Sequence, residues 1–431
     1  MATQVSNVLE MLKYTYGVDR VLYLANQESP TFNILARVKK PVGGRGQFLM
    51  PITVQNPGTF KGITEGGALP TALAPDTTEA LFSLQEYAGI YDVTWKLIQD
   101  ARTSKFAFQQ AVAYLDEGFK RRFMRLLNAD LIDNGKGRLG VLPAADNQTT
   151  ITVNALPRVE VGMVIDIMDL SDDDTKLVDS RTVTDVNVAT REITISGAAL
   201  AGSAGGDYFV IEDTTDLSLN GGVAMHTNGL IGIVDDANPA AIVGNYGSIN
   251  RSTAGNGFWR SLVLDNAGTL RPLTEDLMLQ ALDGARERGG GIVDVWLSNL
   301  AIVRRYHEML RAETHFAISS NPTSIGGGLG RKSMNDGGAE GVGKTPYQFS
   351  GIDWHVDPYF EANTVVGLDT SHFFLGVGDN EVPRPISEIF DGVARFKDTA
   401  NATFEVVWYY QVELISDHPA SGVKIEDVAE S

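Results

Sequence analysis

The chain has 431 residues, of which 43% are hydrophobic and 21% are charged, values that exclude a wholly disordered chain and a coiled coil. Its 35 Lys and Arg against 54 Asp and Glu give a net charge of −19, which excludes a basic footprint for nucleic acid over the whole surface. Cysteine is absent, so disulfides, thiolate metal sites and cysteine nucleophiles are excluded as well.

The sequence also lacks the features of a membrane or secreted protein. No apolar run reaches the length of about 20 residues that spans a bilayer, and the first residues do not show the pattern of a secretion signal. We therefore expect a soluble, unsecreted chain with no membrane partner.

Residues 1–41 are predicted to form an N-terminal arm, because weakly amphipathic residues are followed by the element-breaking sequence KKPVGGRG. Residues 42–97 are predicted to be extended. The sequence QFLMPITVQ opens this segment and GIYDVTWKL closes it, both with alternating apolar side chains. Between them, NPGTFKGITEGGALPTALAPD is rich in Pro and Gly and poor in core-sized side chains. We expect it to project from the body as a long loop or hairpin tip.

A long helix is predicted within residues 98–144, from about Gln99 to Asp133. Its apolar residues recur at three- and four-residue steps, and about 30 helical residues span about 45 Å. The sequence DNGKG marks its end.

The polar face of this predicted helix is basic. Asp116 and Glu117 stand four residues before two of the basic side chains and can pair with them, so a solvated face is the simpler interpretation. The basic residues are Lys120, Arg121, Arg122 and Arg125.

An all-β insertion is predicted for residues 145–215, because short alternating runs follow one another there without a helical period. The runs RTVTDVNV and REITISG flank a predicted turn. The acidic SDDDTK lacks the Gly and Glu spacing of a calcium loop, so we interpret it as a surface turn. In VEVGMVIDI, one face is predicted to carry Val161, Met163, Ile165 and Ile167.

Residues 216–431 predict mixed helices and strands. A helix is expected near Thr274 to Arg288, then the strand IVDVWLS, then a helix with Ser298 as its N-cap. Further strands are expected at GIDWHVDPYF, HFFLGVG and TFEVVWYYQVEL. The last of these should bury one face, formed by Phe404, Val406, Trp408, Tyr410, Val412 and Leu414.

The stretch Gly338 to Thr345 has the spacing of a phosphate-binding P-loop. A working P-loop needs a buried strand before it and a helix after it. Here the preceding residues are glycine-rich without an apolar run, and Pro346 leads into a strand-like pattern. We therefore interpret the motif as a chance match in a mobile surface loop, and a nucleotide-dependent enzyme stays as a distant alternative.

Asp353, His355 and Asp357 alternate along a predicted strand, and such a row can bind a divalent cation. No fourth ligand is placed by the sequence, so solvent exposure is the simpler interpretation. No Ser, His and Asp arrangement has a nucleophile turn. We expect no catalytic, cofactor-binding or metal-binding residues and no enzymatic activity.

The order of these parts resembles the major capsid proteins of tailed bacteriophages. The resemblance is carried by FLMPITVQNPGTFKGITEGG, by FAFQQAVAYLDEGFKRRFMRLLNADLI, by NGLIGIVDDAN and by GGGIVDVWLSNLAIVRRY. It implies an α+β capsid fold with an N-terminal arm (1–41), an extended-loop hairpin (42–97), a spine helix and peripheral domain (98–144), a small all-β insertion (145–215), a central domain (216–375) and return strands of the peripheral domain (376–431).

The resemblance also implies a function and partners. The chain would assemble into the pentamers and hexamers of an icosahedral head, formed in the host cytoplasm with scaffold and portal proteins and enclosing double-stranded DNA that it contacts weakly. Decoration proteins are a partner that the resemblance leaves open, and an encapsulin-type compartment is the alternative shell. The basic helix face would line the inner surface, and the extended loop would contact neighbouring subunits through Phe60, Lys61, Ile63 and Glu65.

Overall fold

The computed structural model describes residues 30–39, 47–94, 105–153, 158–170, 175–187, 189–213, 215–216, 223–240, 243–313, 347–378, 383–385, 395–396 and 403–430. Within these ranges the strands form three six-stranded sheets and two two-stranded ribbons. None of the helices in these ranges is both long enough and apolar enough to cross a membrane.

Five α-helices are described: α1 (Pro30–Ile34), α2 (Lys105–Ile132), α3 (Leu230–Ile233), α4 (Glu275–Gly289) and α5 (Leu300–Glu313). The strands of the first half are β1 (Ala36–Lys39), β2 (Gln47–Gln55), β3 (Asp76–Ser83), β4 (Gln85–Thr94), β5 (Gly140–Val141), β6 (Thr150–Thr152), β7 (Val164–Asp169), β8 (Thr175–Asn187), β9 (Glu192–Ile195), β10 (Tyr208–Ile211), β11 (Thr215–Asp216) and β12 (Val223–Ala224). Those of the second half are β13 (Leu262–Leu264), β14 (Val295–Ser298), β15 (Tyr347–Phe349), β16 (Ile352–Val356), β17 (Val365–Leu368), β18 (Phe373–Val377), β19 (Arg384–Pro385), β20 (Arg395–Phe396), β21 (Thr403–Ser416) and β22 (Val423–Ile425).

Helix α2 is the predicted long helix. It runs for 28 residues, or about 42 Å at 1.5 Å per residue. It ends just before the predicted stop, where Gly135 and Gly137 both have positive φ. Phe119 on its inner side lies 6.0 Å from Trp408 between ring centroids. The helix therefore lies directly against the first sheet.

The first sheet is built around β21. One edge of this strand pairs antiparallel with β4 through ten residue pairs, while β18, β19 and β20 also pair with it and β1 lies parallel to β18. The predicted buried face is present at Trp408, Tyr410, Val412 and Leu414, and Val406 is half-buried. The side chain of Phe404 lies outside the described part of the chain.

The second sheet has the order β13–β22–β17–β14–β16–β15, with helices α4 and α5 packed on a core that contains Trp296 and Trp354. Helix α4 begins and ends as predicted, with Thr274 as N-cap and Gly290 in the left-handed region. The predicted cap of α5 was wrong by one residue. Ser298 ends β14, and Asn299 caps the helix by accepting from the Ile302 N–H at 3.1 Å.

The third sheet, β5–β10–β7–β8–β9–β6, forms a separate apolar core with buried Met163, Ile165 and Ile167. We call residues 139–213 the β unit. Leu126 of α2 packs against its core. Val161, predicted to share the buried face, is exposed, because β7 begins only at Val164 after a turn at Gly162.

Three predicted segments divide differently in the structure. The hairpin partner of β2 is β3, whereas β4, which includes residues 89–94 of the predicted closing run, belongs to the first sheet. Within the predicted arm, residues 30–39 pack into the body with Phe32 and Leu35 buried, and residues 1–29 lie outside the described part. The segment 376–431 is shared, because β22 pairs with strands of the second sheet while β21 lies in the first.

A substitution at Gly247 would probe how tightly side chains pack at the base of the hairpin. Gly247 has φ 60, and a Cβ there would lie 3.0 Å from Phe82 Cζ and 3.1 Å from Trp259. Gly244, with φ 76, has no atom within 4 Å of such a Cβ. Both Gly→Ala changes should cost about 1 kcal/mol of backbone strain, and Gly247→Ala should cost about 1–3 kcal/mol more from overpacking. Equal unfolding free energies for the two variants in denaturant titrations would contradict this packing.

Candidate functional site

A projecting hairpin is the most distinctive feature of the described chain. Strands β2 and β3 pair from Gln47↔Ser83 to Thr53↔Thr77, and an irregularity follows at Gln55↔Asp76. Beyond the strands, the Gly58 N–H donates to the Leu73 carbonyl at 3.0 Å. The Thr59 hydroxyl donates to the Thr71 carbonyl at 2.6 Å. These bonds hold the two sides of the ribbon together past the end of the ladder.

The base of the hairpin is fixed in the main core. Phe48, Ala80 and Phe82 are buried there, and Phe82 lies 5.1 Å from Tyr246 between ring centroids. Gly376 of β18 leaves room for Phe48, because a Cβ at this glycine would lie 3.3 Å from the Phe48 ring and 2.5 Å from Ile415 Cδ1. The direction in which the hairpin leaves the body is therefore set by core packing.

The outer part of the hairpin has the opposite environment. From Thr53 to Glu79 every residue is exposed except Gly67, Pro70 and Thr78, which are half-buried. Several of the exposed side chains are large and apolar, and burying each would stabilise a contact by roughly 1.5–3 kcal/mol. They include Phe60, which is fully exposed, Leu69 at 80%, Ile63 at 52% and Leu73 at 42%.

The four loop residues predicted to contact other subunits all lie in this exposed part. Phe60 and Ile63 offer apolar surface, and Lys61 and Glu65 offer charges of opposite sign beside it. Two further exposed apolar side chains, Leu69 and Leu73, lie on the returning side of the loop, where sequence reasoning did not single them out.

The predicted basic face of α2 is mostly engaged within the chain. Arg121 pairs with Glu117, as the four-residue spacing allowed, and Lys120 is exposed. Arg122 pairs with Glu160 of the β unit at 3.0 Å, and Arg125 pairs with the same carboxylate. Arg125 is buried, so its assignment to a surface-exposed face was wrong; the β unit covers it.

The predicted row Asp353, His355 and Asp357 does not form a common site. Asp353 is exposed and accepts from Gln348 Nε2 at 2.6 Å, and His355 is half-buried. Asp357, expected to be exposed, is fully buried, because α1 and α2 close over it.

Asp357 instead joins three distant segments. Its carboxylate accepts from the Thr31 hydroxyl at 2.7 Å, from Asn128 Nδ2 at 2.8 Å and from the Tyr359 N–H at 2.9 Å. Burial raises the pKa of Asp357, and these donors oppose the shift. The residue holds the N-terminal segment and α2 on the end of β16.

One group of three carboxylates in the described ranges is close enough to suggest a cation site: Asp166, Asp179 and Asp213. The ammonium group of Lys176 already lies among them, 2.8 Å from Asp166, 2.8 Å from Asp179 and 3.5 Å from Asp213. The Lys176 ammonium therefore stands where a cation would bind and offsets one of the three negative charges. The P-loop-like stretch, Gly338 to Thr345, lies outside the described residues.

A buried polar cluster that sequence reasoning missed lies where α2, β4 and β21 meet. Asp130 accepts from the Tyr87 hydroxyl at 2.6 Å and lies 2.6 Å from Nδ1 of His226. Burial lowers the pKa of His226, but the Asp130 carboxylate outweighs this effect, so the pKa lies above its ordinary value. The members come from separate parts of the chain, so no local pattern could have grouped them.

Glu413 of β21 lies beside this cluster and is also buried. It accepts from Asn228 Nδ2 at 3.2 Å, and its second oxygen has no hydrogen-bond partner in the described structure. Burial raises the pKa of Glu413 to about 8. The carboxyl group is therefore largely protonated at neutral pH.

No protein-family model and no curated protein matches the sequence. A chain from the capsid asymmetric unit of cyanophage A-1(L) is similar in structure, with a TM-score of 0.54 and 13% identity, covering 95% of this chain and 96% of that one. The chain folds like a phage capsid protein.

Two further solved structures have lower scores. A chain of the native GTA particle capsid gives a TM-score of 0.48 at 11% identity, covering 96% of both chains. The holo-SrpI encapsulin of Synechococcus elongatus gives 0.43 at 6% identity, covering 100% of this chain and 98% of that one.

Asp357→Ala should destabilise the protein by about 2–4 kcal/mol, because it leaves buried donors from Thr31, Asn128 and Tyr359 without an acceptor. Asp353→Ala removes an exposed carboxylate from the same segment and should change stability by less than about 0.5 kcal/mol. Denaturant unfolding of both variants measures the difference. Similar losses of unfolding free energy in the two variants would show that the hydrogen bonds of Asp357 do not stabilise the fold.

Glu413→Gln should change how stability depends on pH. The unfolded carboxyl ionises at its ordinary pKa of 4.5, so the native state loses stability as pH rises from there to about 8, and this loss levels off above 8. Gln stays neutral, so the variant should be more stable than the parent at pH 9, on the order of 1–4 kcal/mol, and nearly equal to it at pH 5.

Melting temperatures at pH 5, 7 and 9 test this expectation. Glu86→Gln is the matched control, since Glu86 is an exposed partner of Gln411 on the same sheet. This control should keep the parent's pH profile. A Glu413→Gln profile parallel to the parent's would mean that the buried carboxyl does not titrate in this range.

Proposed function

We propose that the chain is a structural protein, the major capsid subunit of a tailed phage. In this role it self-assembles into hexamers and pentamers of an icosahedral head that encloses double-stranded DNA. The observation that carries the proposal is the hairpin, anchored in the core at Phe48 and Phe82 and bare at its apolar tip. The similarity in fold to the cyanophage capsid chain over nearly the whole length supports the same role.

Burial of the apolar tip side chains on a second copy would give the exposed hairpin a stabilising role. A tip with Phe60, Ile63, Leu69 and Leu73 exposed contributes nothing to the stability of a single chain. Laid over a neighbour, the four side chains together would contribute on the order of 6–12 kcal/mol before the cost of association. In a closed ring each subunit both gives and receives such a contact, so the weak single contacts reinforce one another.

The finer assignments follow from the same proposal. Helix α2 would be the spine helix, the first sheet would form the peripheral domain and the second sheet the central domain. Residues 1–29 would complete the arm. Scaffold and portal proteins, weakly contacted DNA and decoration proteins are the expected partners, and the protein would reside in the virion capsid after assembly in the host cytoplasm.

Electron microscopy of the purified protein tests the proposal directly. We expect rings or closed shells, and shells recovered from producing cells should contain double-stranded DNA. Closed cages that never contain DNA would favour the encapsulin-type alternative. A monodisperse monomer at all concentrations, together with nucleotide binding that Lys344→Ala abolishes, would favour the P-loop enzyme instead.

The double change Phe60→Ser and Leu69→Ser should reduce shell yield by about tenfold or more, because it removes apolar contact from the tip. The melting temperature of the unassembled subunit should stay unchanged, since both side chains are exposed. Val161→Ser, an exposed apolar position of the β unit, is the control and should assemble normally. Normal yields from the double variant, measured by sedimentation and microscopy, would remove the hairpin from the proposed interface.

A further inference from the structure

The β unit carries a large share of the negative charge of the chain. Between Ala145 and Thr215 the sequence has 13 acidic and four basic side chains, a net charge of −9 out of −19 for all 431 residues. Two of the basic side chains do little to offset the exposed acidic groups. Arg158 is buried against backbone carbonyls, and Lys176 is shared by three aspartates. Asp166 and Asp207 are buried and Glu160 pairs with arginines of α2, but the other acidic side chains of the segment still outnumber its basic ones, so the unit keeps a net negative charge.

The β unit is also fixed rigidly to α2. Glu160 pairs with Arg122 and Arg125 of the helix, and Leu126 packs on the core of the unit. On the other side, Arg158 donates to the carbonyl of Arg138 at 2.8 Å and to that of Tyr359. Because it contacts both the helix and the segment after β16, the β unit lies on the same side of the subunit as Arg122 and Arg125.

These two observations conflict with an inner, DNA-facing position for this side of the helix. The single carboxylate of Glu160 offsets one of the two positive charges of Arg122 and Arg125, so this pair leaves at most one charge for phosphates. Packed DNA carries one negative charge per about 1.7 Å of helix axis, and an acidic unit on the lumen side would repel it from every subunit. If the unit lies on the outer side of the shell instead, this electrostatic repulsion of the DNA is avoided.

Resting on the proposed function, we infer that the side of α2 that carries Arg122, Arg125 and the β unit faces the outside of the shell, away from the packaged DNA. This reverses the inner-surface role predicted for Arg122 and Arg125 from the sequence. The lumen is then lined by the opposite side of the subunit, and the β unit presents an acidic outer surface to solvent.

The absence of cysteine from the chain makes a direct test possible. Ala189→Cys places a single thiol in the exposed turn between β8 and β9, and Ala198→Cys places one on a second exposed loop of the unit. Ala281→Cys, on the buried face of α4, is the control for shell integrity. The probe is a maleimide coupled to a polymer too large to enter the shell.

In intact, DNA-filled shells, at least one of the two exposed cysteines should react to about the same extent as after denaturation, while Ala281→Cys should react only after denaturation. Protection of both exposed positions in closed shells would overturn the inference and leave the proposed function intact. Failure of the unmodified chain to form shells at all would overturn the proposed function and the inference together. The second position keeps the test decisive if one variant does not assemble.

Discussion

The hairpin has a buried base and an exposed apolar tip, and this difference is the constraint on which the proposed assembly depends. Its base is held by Phe48, Ala80 and Phe82 in the core that also contains α2 and the first sheet, whereas its tip has no apolar partner in the described chain. Because the base is packed in the core, the direction of the tip is fixed. The apolar side chains of the tip can be buried only if another surface covers them. Folding of one copy and the proposed contact between copies thus depend on the same ribbon.

The buried polar groups lie where distant segments of the chain meet. Asp357 joins α1, α2 and the end of β16, while Asp130 and Glu413 lie at the junction of α2, β4 and β21. Each junction leaves an ionisable group in a dry environment, where its charge state depends on the neighbours that close over it. Loss of a segment that covers Asp357 or Glu413 would expose the carboxyl to water and return its pKa toward the ordinary value.

Local sequence patterns predicted the elements that depend on their own periodicity. Helix α2, the strands of the β unit, helix α4 and the buried face of β21 all follow from spacing and end signals. The capsid-like order of these parts also came from the sequence, as did the exposed loop that contains Phe60. Most of the fold and the central part of the candidate site were therefore accessible before the structure.

The errors concern contacts between residues far apart in the chain. Thr31 and Asp357 are separated by 326 positions, and nothing near either residue signals the other. Arg125 was assigned to the surface because its helix position is polar, but the β unit covers it. Similarly, β22 has only three residues, too few for a sequence pattern to predict its sheet. Its partners β13 and β17 are distant in the chain, so its register could not be predicted either.

The way the chain passes between the two larger sheets has a mechanical consequence. It leaves the second sheet after β17 to enter the first at β18, and it leaves the first after β21 to return at β22. A load applied at the hairpin and carried into β21 would reach the second sheet through both connections in parallel. Within the proposed shell, these two connections would share the load that internal pressure puts on each subunit.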